Sequence, residues 1–254
     1  MQRLSASSFD RLLAPVHHWI WRNPERRVQK LLRFGETETD GGRDLLRAAE
    51  LTRDPLLRRL YLLHAVDEQR HGTLFRGRAA AMLASGDPEC GGHAAAMTAA
   101  AGPPHSAHGL DDLDVARESD ETMLAFLHVA ERSAASRFAV YRDVLRADPA
   151  TQRVFDDILH DEKFHMNYTL TQLVRVSPER HRAKLWRARL TRLWNAYLRV
   201  ASALAGVLGG AFLTAQYFVV LPLFALLSKR AAAREPLGWR PIAPRDFDSM
   251  RSQY

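Results

Sequence analysis

The sequence predicts an all-α protein in which a four-helix bundle follows a short amphipathic helix and precedes a membrane-associated helical segment. Three observations support this prediction. Two Asp-Pro pairs each open a long segment with helical periodicity. Each segment carries a Glu-x-x-His motif, at residues 68–71 and 162–165, which places a carboxylate and an imidazole on one helix face. Finally, residues 200–228 form a run of 29 residues without a charge.

Residues 1–23 are predicted to form an N-terminal amphipathic helix that begins near Ser7 or Ser8. The apolar face is short and contains Pro15, which favours packing on the bundle over lying on a membrane. The layout of a secretory signal peptide is missing, so we expect the N-terminus in the cytoplasm. The residues that recur at helical spacing are Phe9, Leu12, Leu13, Val16 and Ile20.

Residues 24–176 are predicted to fold into the bundle as two helical hairpins. In each hairpin an Asp-Pro pair, Asp54-Pro55 or Asp148-Pro149, supplies an N-cap and a proline at the first helical position. Each aspartate precedes the glutamate of its motif by 14 residues, so the hairpin is repeated. Between the hairpins, residues 85–112 hold clusters of glycine and proline and are expected to form the crossover connection.

A further carboxylate lies upstream of each motif. Glu38 is 30 residues before Glu68, and Glu131 is 31 residues before Glu162. An antiparallel hairpin returns to the same height over such a distance, so the four helices are expected to bring their ligands to one level of the core. Such a set can enclose two metal ions. The six candidate metal-ligating and catalytic residues are Glu38, Glu68, His71, Glu131, Glu162 and His165.

Glu36 competes with Glu38 for the first ligand position, and the helical phase favours Glu38. Residues three, four and seven positions from Glu38 are apolar or small, whereas those around Glu36 include three charged residues. A buried ligand belongs on the apolar face. The register set by the Asp-Pro pairs places Glu131 opposite Thr37, however, so an inserted helical bulge would favour Glu36.

Two further histidines face the same core, His64 one turn before Glu68 and His128 one turn before Glu131. Each is an extra ligand, a donor to a ligand, or a core histidine that bonds to the backbone, and the last interpretation is favoured. Cys90 is the one cysteine of the chain, so the available donors are nitrogen and oxygen. Such donors suit iron or manganese better than structural zinc.

The form Asp-Glu-x-x-His, present at residues 67–71 and 161–165, resembles that of the oxygen-activating di-iron branch of the ferritin-like superfamily. That branch includes bacterial multicomponent monooxygenases and the ribonucleotide reductase small subunit. The resemblance covers roughly residues 26–176. It implies a ferritin-like bundle that holds two iron ions, with manganese or a mixed Fe/Mn pair as alternatives.

The same resemblance assigns a role to the aspartate that precedes each motif. It implies that Asp67 accepts a hydrogen bond from His165, and that Asp161 accepts one from His71. Such an acceptor fixes the tautomer and the orientation of a metal-bound imidazole. The alternative is that both aspartates are ordinary polar residues of their helices.

Residues 177–199 are predicted to form a basic interfacial helix. Residues 200–228 would span roughly 43 Å as a helix, more than the ~30 Å hydrocarbon layer of a membrane. They are expected to form either one tilted transmembrane helix or a re-entrant hairpin broken near Gly209-Gly210 or Pro222. Residues 229–254 are expected to form an irregular tail. The residues on the interfacial face are Trp186, Leu190, Leu193, Trp194 and Tyr197.

The net charge of +7 is concentrated on both sides of the uncharged run. Residues 179–199 hold seven Lys or Arg residues, and residues 229–240 hold four. The more positive side is expected to be cytoplasmic, so the bundle should lie on the cytoplasmic side of the cytoplasmic membrane. This distribution indicates anionic lipid, and not nucleic acid, as the partner of the basic residues.

Together these features predict a membrane-anchored non-haem di-iron oxidoreductase that activates dioxygen. It would act as an oxygenase, hydroxylase or desaturase on a lipophilic or membrane-presented substrate. By fold-level analogy, membrane-bound quinone hydroxylases of the ferritin-like group make this substrate class reasonable. The expected partners are dioxygen, that substrate, the membrane and an electron donor of unspecified identity, with a homodimer left open.

Two other classes of function remain open at this point. One is an iron-oxidising or metal-binding protein at the membrane, related to ferritin and rubrerythrin. The second Asp-Glu-x-x-His argues against it, because ferritins dispense with one or both histidines. The other is a non-catalytic membrane scaffold, against which the six core-facing candidate ligands argue.

Overall fold

The computed structural model describes residues 7–85, 113–234 and 238, and every regular element in these ranges is helical. The predicted all-α class is therefore confirmed for the described residues. The chain divides into two compact units, Met1–Asn195 and Ala196–Tyr254. The elements are α1 (Ser8–Leu12), α2 (Ala14–Arg22), α3 (Pro24–Leu51), α4 (Pro55–Ala84), α5 (Asp120–Val144), α6 (Pro149–Val176), α7 (His181–Ala215), a π-helical turn (Gln216–Val220) and α8 (Leu221–Ala232).

Hydrogen-bonded N-caps begin α4 and α6 at the positions that the sequence predicted. The Asp54 side chain accepts hydrogen bonds from the backbone N–H groups of Leu56 and Leu57, at 2.9 and 3.2 Å, at the start of α4. Asp148 accepts one from Thr151 at 3.1 Å, at the start of α6. The crossover expected near 85–112 lies almost wholly outside the described residues.

Helices α3 to α6 bury two apolar clusters. In each of these four helices the candidate ligands lie, along the chain, between a residue of one cluster and a residue of the other. A polar layer therefore separates the two clusters. In the order α3 to α6, one cluster includes Leu45, Leu57, Leu124 and Leu173. In the same order, the other includes Leu31, Phe75, Phe138 and Phe155.

Helices α3 and α4 approach each other closely beside the polar layer, because glycine takes the place of a larger residue there. A Cβ atom at Gly72 would lie 2.6 Å from Thr39 Oγ1 and 2.9 Å from the carbonyl oxygen of Gly35. Arg76 Nη1 donates hydrogen bonds to the Gly35 carbonyl at 2.8 Å and to Thr39 Oγ1 at 2.7 Å. Gln69 Nε2 donates to the Thr39 carbonyl at 3.0 Å. These contacts fix the backbone of α3 against α4 next to the candidate ligands.

The N-terminal helices pack on the core, as the sequence favoured. Trp21, at the end of α2, is buried, and its ring centroid lies 5.2 Å from that of Tyr141 and 5.5 Å from that of Phe155. Trp19, two residues earlier, stays exposed and carries the Arg26 guanidinium 3.6 Å above its ring. Trp21 is therefore the buried residue by which α2 reaches the core, and His17 of the same helix also contacts Tyr141.

The first part of α7 contributes to the core as well as to the surface. Ala188 belongs to the same apolar cluster as Leu124, and Lys184 Nζ lies 3.3 Å from Glu121 Oε2 on α5. On another face of the helix, Trp186 and the other residues of the predicted interfacial face are exposed. One face of this segment therefore packs on protein while an aromatic face is exposed.

Among the described residues, one helical stretch is long and apolar enough to cross a membrane, His181–Ala232 with 52 residues. No break occurs at Gly209-Gly210, which lie inside α7. The π-helical turn ends at Val220, two residues before Pro222, whose ring would clash with a regular helical turn. Residues 229–232, expected in an irregular tail, are helical instead, because α8 continues to Ala232. Residues 235–237 and 239–254 lie outside the described part of the chain.

Candidate metal centre

The polar layer contains the six candidate ligands together with His64. Helix α4 contributes three of these side chains because His64, Glu68 and His71 are spaced four and three residues apart and share one face. Glu38 is half-buried. The other members retain little or no exposed surface: His64, His71 and His165 (0% each), Glu162 (1%), Glu68 (4%) and Glu131 (9%).

One carboxylate oxygen, Glu68 Oε1, is close to all three buried imidazoles. It lies 3.0 Å from His64 Nε2, 3.9 Å from His71 Nδ1 and 3.8 Å from His165 Nδ1. Glu68 is also shared by two groups of side chains whose donor atoms lie within 4.8 Å of one another and could hold a metal ion. The first group is Glu38, Glu68 and His71; the second is His64, Glu68, Glu131 and His165.

Three buried nitrogen and oxygen atoms of this cluster, each able to bind a metal ion, have no hydrogen-bond partner among the described residues. They are His71 Nδ1, His165 Nδ1 and Glu162 Oε2. Leaving a buried polar atom unpaired costs about 1–3 kcal/mol, and such atoms are rare in native proteins. Both unpaired imidazole nitrogens lie toward Glu68 Oε1. A bound metal ion would satisfy these atoms, so the donor set fits a metal site.

The other nitrogen of each of these two imidazoles is held by an aspartate on the facing helix. His165 Nε2 lies 3.2 Å from Asp67 Oδ2, and His71 Nε2 lies 3.0 Å from Asp161 Oδ2. The two pairings that the sequence resemblance implied are therefore present. With Nε2–H donated to the aspartate, the Nδ1 lone pair faces the cluster, which is the tautomer that a metal ligand needs.

Glu38 joins the cluster and Glu36 does not belong to either of its groups. Helix α3 is α-helical from Pro24 to Leu51, so the bulge that would have favoured Glu36 does not occur. Glu38 also lies within hydrogen-bonding reach of Glu68. On the other pair of helices, Glu162 hydrogen-bonds with Glu131, although it is the one predicted ligand that belongs to neither group.

His64 has no bond to the backbone, which the sequence interpretation had favoured, among its described contacts. Its Nδ1 lies 2.7 Å from the Tyr168 hydroxyl, and its Nε2 lies 3.0 Å from Glu68 Oε1 and 3.4 Å from Glu131 Oε1. Its ring stacks on that of His165, with centroids 3.6 Å apart. His64 is therefore part of the cluster.

His128 behaves as the sequence interpretation favoured. Its Nδ1 lies 3.1 Å from the carbonyl oxygen of Met166, so the ring bonds to the backbone of α6. It belongs to neither group of candidate ligands.

Burial raises the pKa of most carboxyl groups in the layer. It raises the pKa of Glu68 to about 8; the hydrogen bond with Glu38 lowers this pKa, while the charges of Glu131 and Asp67 raise it. Burial, followed by the neighbouring carboxylates, also holds the pKa of Glu38 and of Glu162 well above the usual range. Burial acts likewise on Glu131, but the hydrogen bonds with His64 and Glu162 and the nearby imidazoles together outweigh it and lower the Glu131 pKa to about 2.

The charge of the layer also fits a pair of divalent cations. Burying an ionised carboxylate is costly unless a counter-charge accompanies it. Burial lowers the pKa of His71 to about 3, so this ring is neutral at pH 7 and provides no counter-charge. Four carboxylates and two divalent ions would balance, with neutral imidazoles adding donors but no charge. Protons and metal ions therefore compete for the same oxygen atoms.

Two contacts of the site were missed by the sequence reasoning. Tyr168, which bonds to His64, lies three residues after His165 and therefore shares its helix face, a spacing that could have identified it. Arg70 forms an ion pair with Asp161, and both residues lie within or next to the two motifs. A pairing across two helices of this kind depends on their relative rotation.

Comparisons with protein-family models, with curated proteins and with solved structures give no match to this chain. The side chains of the cluster and their geometry are therefore the basis for assigning a function.

Proposed function

We propose that this protein is a membrane-anchored non-haem di-iron oxidoreductase with a ferritin-like bundle. The observation that carries the proposal is the buried, shared cluster around Glu68. There His71 Nδ1 and His165 Nδ1, unpaired among the described residues, lie 3.9 and 3.8 Å from one carboxylate oxygen. Two bound ferrous ions would supply the electrons that reduce dioxygen.

The residues of the cluster have distinct tasks in this proposal. Glu68 would contact both ions, because it belongs to both groups of donors. Glu38 and His71 would complete one position, and Glu131 and His165 the other. The set contains nitrogen and oxygen donors, which favours iron and also accepts manganese or a mixed pair. Apolar clusters flank the layer on both sides.

The C-terminal part of the chain supports a membrane location. His181–Ala232 is long and apolar enough to span a bilayer, and the preceding residues carry exposed Trp186 next to several basic residues. The excess of basic residues before the uncharged run favours a cytoplasmic bundle. An enzyme anchored in this way would act on a lipophilic or membrane-presented substrate, with electrons from a separate donor.

The test uses the full-length protein in detergent, loaded with ferrous ions without oxygen and then exposed to it. We expect oxygen consumption and an optical change that saturate at two iron ions per chain. The Glu68→Ala variant should lose both signals, whereas Glu36→Ala, on α3 but outside the cluster, should keep them. Ferric ion accumulating far beyond two per chain would instead indicate an iron-oxidising protein related to ferritin and rubrerythrin.

A further inference from the structure

The two halves of the cluster are not equivalent, although the hairpins repeat in sequence. Four residues before Glu68 stands His64, whereas four residues before Glu162 stands Ile158. Both residues at this position are fully buried, but only His64 offers a donor atom. The polar layer therefore contains an imidazole in the first hairpin that has no counterpart in the second.

The ring of His64 is oriented toward Glu68 in the same way as the rings of His71 and His165. Each ring uses one nitrogen for a partner outside the cluster and turns the other toward Glu68. For His71 and His165 the outer nitrogen is Nε2, which contacts an aspartate. For His64 the outer nitrogen is Nδ1, 2.7 Å from the Tyr168 hydroxyl, and the inner one is Nε2, 3.0 Å from Glu68 Oε1.

Tyr168 can serve His64 as the aspartates serve the other rings. A tyrosine hydroxyl can accept a hydrogen bond as well as donate one, so it can hold a proton placed on Nδ1. The Nε2 lone pair then faces Glu68 and Glu131, whose nearest oxygens lie 3.0 and 3.4 Å away. An acceptor behind the outer nitrogen is the usual companion of a metal-bound imidazole.

We propose that His64 is a seventh ligand and that the two metal positions consequently differ. One position would take a single imidazole, from His71, and the other would take two, from His64 and His165. The inference rests on the proposed function, since it requires a site for two metal ions. More nitrogen donors favour iron, cobalt or zinc, while an oxygen-rich position also accepts manganese. The position that contains His64 should therefore fill first and bind the more tightly.

Titration of the metal-free full-length protein in detergent with Co²⁺ tests this inference by calorimetry and visible absorption. We expect the wild-type protein to show two binding steps whose dissociation constants differ at least about 10-fold. In His64→Ile, which reproduces the residue at 158, the tighter step should weaken by more than the about 10 to 100-fold typical of losing an outer partner. The two steps should then merge.

Two further variants separate the loss of the His64 imidazole from the effect of leaving the buried Tyr168 hydroxyl without a hydrogen-bond partner. His64→Ile leaves the Tyr168 hydroxyl without its partner, so the double variant His64→Ile/Tyr168→Phe removes both groups together and should give the same merged steps. Tyr168→Phe alone keeps the imidazole, so its tighter step should weaken by no more than the about 10 to 100-fold typical of losing an outer partner, and by less than in His64→Ile. Circular dichroism verifies that each variant is folded before titration.

A measurement on the wild-type protein keeps the inference testable if these variants do not fold. Pulsed electron paramagnetic resonance of the one-electron-oxidised iron pair, with ¹⁵N-labelled histidine, counts the coupled imidazoles. Three coupled imidazoles would support the inference, and two would overturn it.

The failure of this inference can be distinguished from the failure of the proposed function. If the wild-type protein binds two ions and His64→Ile keeps both steps at unchanged affinity, His64 is a core histidine and the inference is wrong. If the wild-type protein binds no Co²⁺ and no iron, the proposed function fails together with it.

Discussion

Asp67 on α4 and His165 on α6 are hydrogen-bonded to each other across the core, with 3.2 Å between Oδ2 and Nε2. The hydrogen bond from His165 lowers the pKa of Asp67, so this carboxyl group stays an anion at neutral pH. The ring is thereby held with Nδ1 toward Glu68, 3.8 Å from its Oε1. The charged Asp67 carboxylate, outside the cluster, thus orients His165 so that its unpaired Nδ1 faces the cluster as a potential metal ligand.

Replacing Asp67 or Asp161, which hydrogen-bond to His165 and His71, should weaken metal binding without unfolding the protein. In Asp67→Asn and Asp161→Asn the acceptor loses its charge, so we expect metal affinity to fall by about 10 to 100-fold. Competition with a chromophoric chelator measures this change. Asp157→Asn, at an exposed position of α6, is the control. Wild-type affinity in both variants would show that the two aspartates have no role in the site.

Glu68→Gln should abolish binding at both metal positions, since Glu68 belongs to both groups. Glu38→Gln should weaken one position, and Glu36→Gln should change neither. The metal-free Glu68→Gln protein should be about as stable as the wild type at pH 7, because burial raises the Glu68 pKa to about 8 and an amide resembles the protonated acid. Metal content by mass spectrometry decides the outcome. Loss of metal in Glu36→Gln but not in Glu38→Gln would reverse this assignment.

The stability of the metal-free protein should fall as the pH rises from about 6.5 to 8. Glu68, with a usual pKa of 4.5 and a folded-state pKa of about 8, keeps a proton that the unfolded chain has lost, so its contribution disappears as the pH passes 8. His71, lowered from 6.5 to about 3, acts in the opposite direction, but only below about pH 6.5. The loss from Glu68 should be on the order of 1 to 2 kcal/mol. Glu38 and Glu162, whose pKa values burial also raises, act in the same direction.

Chemical denaturation at several pH values, with and without metal, measures this effect. Because metal ions replace the protons, the stabilisation by metal should grow over the same range. A metal-free protein that becomes more stable between pH 6.5 and 8 would contradict the protonated state assigned to Glu68.

The close approach of α3 and α4 should be sensitive to a single added methyl group. A Cβ at Gly72 would lie 2.9 Å from the carbonyl oxygen of Gly35, which is too close, so Gly72→Ala should cost about 1–3 kcal/mol and also weaken metal binding. Gly77→Ala, on the same helix, meets no atom of the described residues within 4 Å. It should be neutral or stabilising by up to about 1 kcal/mol. Equal effects in the two variants would show that the approach is not tight.

The membrane segment should be separable from the metal centre. Ending the chain after Ser177 would remove Ala188 from the core, so the appropriate end is Asn195, where the first unit ends. The shortened protein should be soluble without detergent, bind metal and react with oxygen, yet act poorly on a lipophilic substrate. The full-length protein should sediment with membranes. A full-length protein that is freely soluble would contradict the anchor.

The sequence was sufficient to predict the helix starts and the level at which the candidate ligands meet. Asp54 and Asp148 each occur before a proline, a local signal that tertiary packing did not override. The choice of Glu38 over Glu36 followed from helical phase, since Glu38 has apolar and small residues around it. Such features depend on spacing along one helix, which a sequence displays directly.

The position of His64 could not be predicted in the same way. A histidine one turn before a ligand is compatible with a backbone bond, as in His128, or with a place in the cluster, as in His64. The difference depends on Tyr168, which reaches His64 from another helix. Sequence spacing does not give the relative rotation of two helices. The same limit explains why the pairing of Arg70 with Asp161 was missed.

Metal stoichiometry tests the central claim most directly. The full-length protein, purified in detergent without oxygen and supplied with ferrous ions, should retain two iron ions per chain after exhaustive dialysis, and Mössbauer spectra after oxygen exposure should show a spin-coupled diferric pair. Glu68→Ala, treated in parallel, should retain none. Wild-type protein that retains no more iron than Glu68→Ala would contradict the assignment of the buried cluster as a di-metal centre.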